Sequence, residues 1–370
     1  MTKNIVTSLL ILYALGAYLF SPIYNFNNVI IYLIINISAI SCFRYGYSKR
    51  VNYRLDFVHN YNQSFLLGLF LLIWIYDFSF YTDYSLASSS RLTKANTSGF
   101  TQVFKDYLYI IVCPLLMSKL NVSKRFLKLV LIMVILYPVI QTGQRKMISM
   151  FLFAFALIES EDIRFTIKRK FFIAIMCLFG VAIIQLFTHV RGSEEPLDNL
   201  ISAFEGSRSM MHFLFFSGGE FVIPYSTLGI FIEHRQEFKQ FDGWAIPLMS
   251  YFPRFMASSN FRGLAELFMF QEFPALFRGG HGYAFSAIGS AYWRLGLLGV
   301  IIEFFLLGRV LKILEYSAKC ATNYSSKFLL YVGIFTISIE TIRGDLLLIP
   351  KIAIMTWLVS LLSLRIYGVN

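Results

Sequence analysis

Charge is scarce in this chain. Asp, Glu, Lys and Arg make up 15% of 370 residues while 57% are hydrophobic, against about a quarter charged and about half apolar in soluble domains. An ordinary water-soluble domain is therefore excluded, because the polar surface is too small to cover the apolar one. Cysteine is scarcer still. Cys42, Cys113, Cys177 and Cys320 lie in or beside apolar blocks or in short basic loops, which offers neither a disulfide framework nor a thiolate zinc site. The five histidines fit no HExxH or His-x3-His pattern, and no Asp-x-Asp pair is present to hold a divalent metal, so the simplest expectation is chemistry without metal or cofactor. Repeats, low-complexity runs and Gly/Ser linkers are also missing, which leaves residues 1–370 as one membrane domain.

What the chain does have is apolar blocks of the length that carries an α-helix across hydrocarbon, about 20 residues. We place spans at 5–20, 29–43, 64–80, 106–118, 127–141, 147–158, 171–188, 295–310, 328–342 and 346–364. The fold expected is thus all-α and polytopic, with about ten transmembrane helices. The net charge of +12 sits between these blocks, where it orients helices and does not call for nucleic acid. Loops 44–63, 119–126, 159–170 and 309–327 carry the basic clusters and are read as cytoplasmic. Both termini then lie inside. Lys3 followed by an apolar run without Ala-x-Ala cleavage chemistry reads as a retained signal anchor.

One long segment, 190–281, remains on the outer face. Its block 211–232 is apolar enough to cross, yet Gly218, Gly219 and Pro224 interrupt it, and a single crossing would turn the basic loop 309–327 outward. It is therefore read as re-entrant, as lying on the membrane, or as crossing together with the Pro-broken stretch 244–256. The segment is rich in arginine, with Arg191, Arg208, Arg235, Arg254, Arg262 and Arg278 beside Lys239, and Arg145, Arg294 and Arg343 flank it at outer helix ends. The guanidinium fork grips phosphate in two places, so a lipid-linked phosphate or pyrophosphate is the expected ligand. His281 stands in the glycine-rich turn Phe277-Arg-Gly-Gly-His-Gly282 just before a helix start, which suits an anion. Glu220 leads the acids that could serve as general base, ahead of Glu194, Glu195, Asp198 and Asp345, because it sits inside the broken apolar block. Gly282, Ser286 and Ser290 have the spacing of a close-packing face. Glu303 and Lys351 lie within spans and are read either as functional charges or as an ion pair between helices.

Several of these stretches resemble the bacterial oligosaccharide repeat-unit polymerases, the Wzy-type O-antigen polymerases: Gln144-Arg145, Arg191-Gly192, the run from Gly280 to Gly299 with its closing Gly-x-x-Gly, and Arg343-Gly-Asp345. The resemblance implies a multi-pass protein of the bacterial inner membrane, a GT-C-like glycosyltransferase architecture, and one long periplasmic loop. It implies a metal-independent enzyme that joins undecaprenyl-pyrophosphate-linked units into O-antigen or a related surface polysaccharide. Arg145, Arg191, Arg254, Arg278, Arg294 and Arg343 would then bind pyrophosphate, with His281 or Glu220 as base. Membrane lipids, a chain-length regulator and a flippase are the expected partners. An O-antigen ligase has a similar layout; a lipid-linked oligosaccharide flippase or other transporter is the reading from another class.

Overall fold

The computed structural model describes residues 2–20, 28–52, 67–75, 109, 112, 130–132, 134–135, 150–155, 157–158, 196–206, 210, 213, 223–235, 238–249, 263–275, 285–322 and 324–348. Among the described residues the regular structure is helical and no strand occurs. The chain divides into two compact units, and each draws on separate parts of the sequence. One comprises Met1–Tyr53, Met211–Tyr316 and Thr336–Lys351, the other Arg54–Met210, Ser317–Phe335 and Ile352–Asn370. The segment 190–281, expected to be one outer loop, is thus shared between them.

In the first unit, α1 (Thr2–Phe20) packs on α2 (Val29–Ser48). The buried stripe of α2 runs through Tyr32, Ile35, Asn36, Ala39, Phe43, Gly46 and Tyr47, at the three- and four-residue steps of one helix face. Its opposite face is just as apolar: Ile30, Ile34 and Ile37 are exposed. A helix that is apolar on both its packed and its open face belongs in lipid or inside a large core. Among the described residues, α2 is the one helix long and apolar enough to span a bilayer by length and composition.

Helix α3 (Pro196–Glu205) belongs to the second unit. It starts on Pro196, whose missing N–H is not needed in a first turn, and Asp198 stands exposed near that start. In the same unit Phe70 meets Tyr109 edge-on at 5.1 Å, Phe151 lies 5.6 Å from Phe328, and Trp74 Nε1 donates to the carbonyl of Ile135 at 3.2 Å.

The remaining helices of the first unit are α4 (Ile223–His234), α5 (Gln240–Met249), α6 (Leu264–Glu272), α7 (Ala287–Leu295) and, as far as Tyr316, α8 (Leu297–Cys320). Helix α9 (Tyr324–Arg343) ends there, followed by a 3-10 turn, Leu346–Leu348. Helix α7 is the hub, packed on α2, α4, α5 and the 3-10 turn. An aromatic cluster fills the space between α4, α5, α6 and α7: Phe231, Phe238, Phe268, Phe285 and Trp293. Phe231 meets Phe285 edge-on at 5.6 Å, and Phe238 meets Trp293 likewise at 4.8 Å. His234 on α4 pairs with Glu272 on α6 at 3.0 Å.

Helix ends differ from expectation in an instructive way. The broken block 211–232 yields a helix that begins at Ile223, so Pro224 falls in its first turn, where proline is tolerated. The stretch 244–256 was expected to break at proline, but α5 continues through Pro247 to Met249. The span read at 295–310 continues as helix to Cys320, through Arg309, Lys312 and Lys319, which the sequence suggested were loop residues. Basic residues mark which side of a membrane a segment faces, not where its helix ends. Here Arg309 Nη1 donates to the carbonyl of Arg50 at 2.9 Å and the Lys312 ammonium lies 5.2 Å from the Tyr47 ring, so Arg309 and Lys312 pack against α2 and the stretch just after it while remaining helical. The expected span at 171–188 lies outside the described residues, as does all of the span expected at 346–364 beyond its first three residues, which form the 3-10 turn.

Candidate functional site

From Phe285 on, the run from Gly280 to Gly299 becomes a helix, an elbow and the start of a second helix. Ser286 caps α7: its backbone is extended and its Oγ accepts from the Gly289 N–H at 3.0 Å. Ser286, Ala287, Ile288 and Ser290 are buried, so the start of this helix is closed by its own cap. Replacing Ser286 by alanine leaves the Gly289 N–H buried without its acceptor and should lower stability by about 1 kcal/mol. Thermal unfolding in detergent checks this, with Ser286→Thr expected to keep most of the cap. At the other end Gly296 turns the chain with φ of 64° and donates to the Tyr292 carbonyl at 2.8 Å, the helix-ending geometry that glycine makes inexpensive. Gly299 then lies against the carbonyl of Ala291 with no room for a Cβ. The two glycines of the Gly-x-x-Gly therefore do different work: one sets the bend and the other lets α8 come close.

Arg294 is the chemical centre of this elbow. It is completely buried. Its Nε donates to Glu303 Oε1 at 2.6 Å and its Nη2 to Glu303 Oε2, a two-pronged pair along the α7–α8 bend. Its Nη1 donates to Asp345 Oδ2 at 3.0 Å, and Asp345 Oδ1 accepts in turn from the Leu347 N–H at 2.9 Å. A fourth contact comes from helix α5. Pro247 has no N–H to give the carbonyl four residues back, that of Gly243, and Arg294 Nη1 donates to that carbonyl at 3.4 Å. The approach is close at Gly243, where a Cβ would stand 3.0 Å from Trp293 Cδ1 and 3.1 Å from Arg294 Cγ, so any larger residue would have to push these side chains back. Gln240 Nε2 donates to the Arg294 carbonyl, and Trp293 Nε1 to the Lys239 carbonyl at 2.9 Å. Ser290 Oγ, on α7, reaches the Gly344 carbonyl at 3.4 Å.

Arg294 was expected to grip pyrophosphate. The structure gives it two carboxylates instead, and a guanidinium so committed, with no exposed surface, is not an open anion site. Among the described residues the charged partner of Glu303 is Arg294; Lys351 lies outside the described residues. Asp345, one of the acids considered as a base, has both oxygens occupied. Asp198 stands exposed on α3, in the other unit. Arg343 closes α9, immediately before the Gly344–Asp345 turn that Ser290 and Arg294 hold. Arg145, Arg191, Glu194, Glu195, Glu220, Arg254, Arg278 and His281 lie outside the described residues. The sequence reading missed Gln240, Gly243 and Pro247. A Gly-x-x-x-Pro spacing inside an apolar stretch is the signal that could have found the last two, because it marks a helix carbonyl left without its usual donor beside a residue that admits a close neighbour.

No family model matches the chain, and no curated protein or solved structure is significantly similar to it.

Proposed function

We propose that the chain is an oligosaccharide repeat-unit polymerase of the bacterial inner membrane, with about ten transmembrane helices in a GT-C-like arrangement and both termini cytoplasmic. The observation that carries the reading is the meeting of two distant stretches that resemble that family. Arg294, in the run from Gly280 to Gly299, pairs with Asp345 of the Arg343-Gly-Asp345 turn across 51 positions of sequence. The exposed apolar faces of α2 and α8, with Ile30, Ile34 and Ile37 on one and Leu298, Ile302 and Leu306 on the other, support lipid as the surrounding medium.

In the proposed reaction a sugar hydroxyl of one lipid-linked unit attacks the anomeric carbon of the growing chain. The bond to undecaprenyl pyrophosphate breaks, and the hydroxyl proton passes to His281 or Glu220. Arg145, Arg191, Arg254, Arg278 and Arg343 stabilise the departing pyrophosphate. Arg294 serves differently: it holds the turn that follows Arg343.

Deleting the gene from its host and resolving the surface glycan on a gel tests this. A polymerase leaves lipid A core carrying a single repeat. Bare core would instead mark the ligase, and an unchanged ladder would remove both.

A further inference from the structure

With Arg294 committed to carboxylates, Arg235 is, among the described residues of this unit, an arginine held in place and still open. It follows α4 directly, and its guanidinium lies over the Tyr292 ring, 4.7 Å from the centroid. It also fills the notch at the α7–α8 elbow: a Cβ on Gly296 would stand 3.3 Å from Arg235 Nη2 and 3.6 Å from Nη1. Tyr292 and Gly296 thus fix the guanidinium by stacking and by shape. Among the described residues no carboxylate pairs with it, the ion pairs there being His234–Glu272, Arg294–Glu303 and Arg294–Asp345. No hydrogen bond from its five N–H donors to a described residue occurs either. A second cation stands close by in sequence. Lys239 is exposed, and the turn that joins it to Arg235 is fastened, since Phe238 N–H donates to the Arg235 carbonyl at 3.1 Å and Trp293 Nε1 to the Lys239 carbonyl. Directly beyond the elbow, α8 exposes Leu297 and Leu298, the side chains that would enter the lipid first.

We propose that Arg235, assisted by Lys239, is a binding residue for a phosphate group at the membrane surface. A fork preset by stacking, beside the point where an apolar helix face begins, suits a phosphate carried on a lipid chain. The site rests on the outer-face reading of segment 190–281 made under the proposed function. Two sources share this chemistry: the pyrophosphate of a lipid-linked substrate and the headgroup of a bulk phospholipid.

The test is titration of the purified full chain with inorganic pyrophosphate, in maltoside micelles, which carry no phosphate, and in phosphatidylglycerol nanodiscs. In micelles Arg235→Gln should weaken binding about tenfold or more, as loss of a charge-assisted pair does, and Arg235→Lys should weaken it less. Tyr292→Leu keeps the charge but removes the shelf, and it should also weaken binding, which covers the case in which Arg235→Gln fails to fold. A difference that persists in nanodiscs identifies the substrate pyrophosphate as the occupant; one that vanishes there identifies the headgroup. Equal binding by wild type and all variants in micelles, or no binding by wild type, overturns the proposal. Where the difference persists in nanodiscs, lost binding with an unchanged glycan ladder upholds the site and counts against the polymerase reading, whereas unchanged binding with a lost ladder counts against the site and upholds the polymerase.

Discussion

Replacing Arg294 by leucine should lower stability by about 3–5 kcal/mol, the loss that follows removal of one partner from a buried ion pair. The reason is the pair of carboxylates left behind. Three of their four oxygens accept from Arg294: both of Glu303 and one of Asp345. Leucine supplies no donor, so two anions stay packed among helices without a counter-charge, and the Gly243 carbonyl that Pro247 cannot serve loses its donor as well. Arg294→Lys should lie between, because one ammonium cannot make the two-pronged contact with Glu303 and also reach Asp345 and Gly243. The combined change Arg294→Met, Glu303→Leu, Asp345→Leu removes the charges together and should recover most of the lost stability, since apolar replacements of a whole buried network are often neutral or stabilising. Unfolding midpoints of the detergent-solubilised variants decide the matter. A single variant that unfolds with wild type, or a triple variant no better than the single one, would contradict the network's role.

The second large effect is expected where α2 crosses α8. A Cβ on Gly308 would collide with the carbonyl oxygen of Phe43 and stand 2.8 Å from the Tyr47 nitrogen; a Cβ on Gly46 would collide with the Phe305 carbonyl. These neighbours are backbone atoms of another helix, which no rotamer change can move aside. Gly308→Leu must therefore push the helices apart, at about 1–3 kcal/mol for overpacking and more if the contact along the crossing is lost. Gly333→Ala in α9 is the matched control: nothing lies within 4 Å of its Cβ, and the change should be neutral or stabilise by up to about 1 kcal/mol through helix propensity. If Gly308→Leu is tolerated as well as Gly333→Ala in the same unfolding assay, the close crossing is wrong.

The all-helical character was legible in the sequence because apolar blocks without strand alternation leave few alternatives. The starts of α2 and α9 lay near their expected places for the same reason. What was not legible was the extent of α8. Arg309, Lys312 and Lys319 look like loop residues on a charge map, and the neighbouring Arg50 carbonyl and Tyr47 ring explain how the helix carries the first two. The role of Arg294 was hidden in a similar way. Its expected position at an outer helix end fitted a ligand-binding arginine, and the sequence contains nothing that brings Asp345 to it from 51 residues away. The Gly-x-x-Gly at 296–299 was visible as a motif, but its division into a bend and a close approach depends on φ at Gly296 and on the Ala291 carbonyl beside Gly299. Arg235 was visible only as one of several arginines in the segment read as external; Tyr292 and Gly296 are what single it out.

The central claim is that this chain lengthens a glycan. Purified protein reconstituted into liposomes and supplied with undecaprenyl-pyrophosphate-linked repeat units tests it most directly. The account predicts a ladder of products, with one undecaprenyl pyrophosphate released for each glycosidic bond formed. Units that stay single while crossing the bilayer would contradict it and mark a transporter instead.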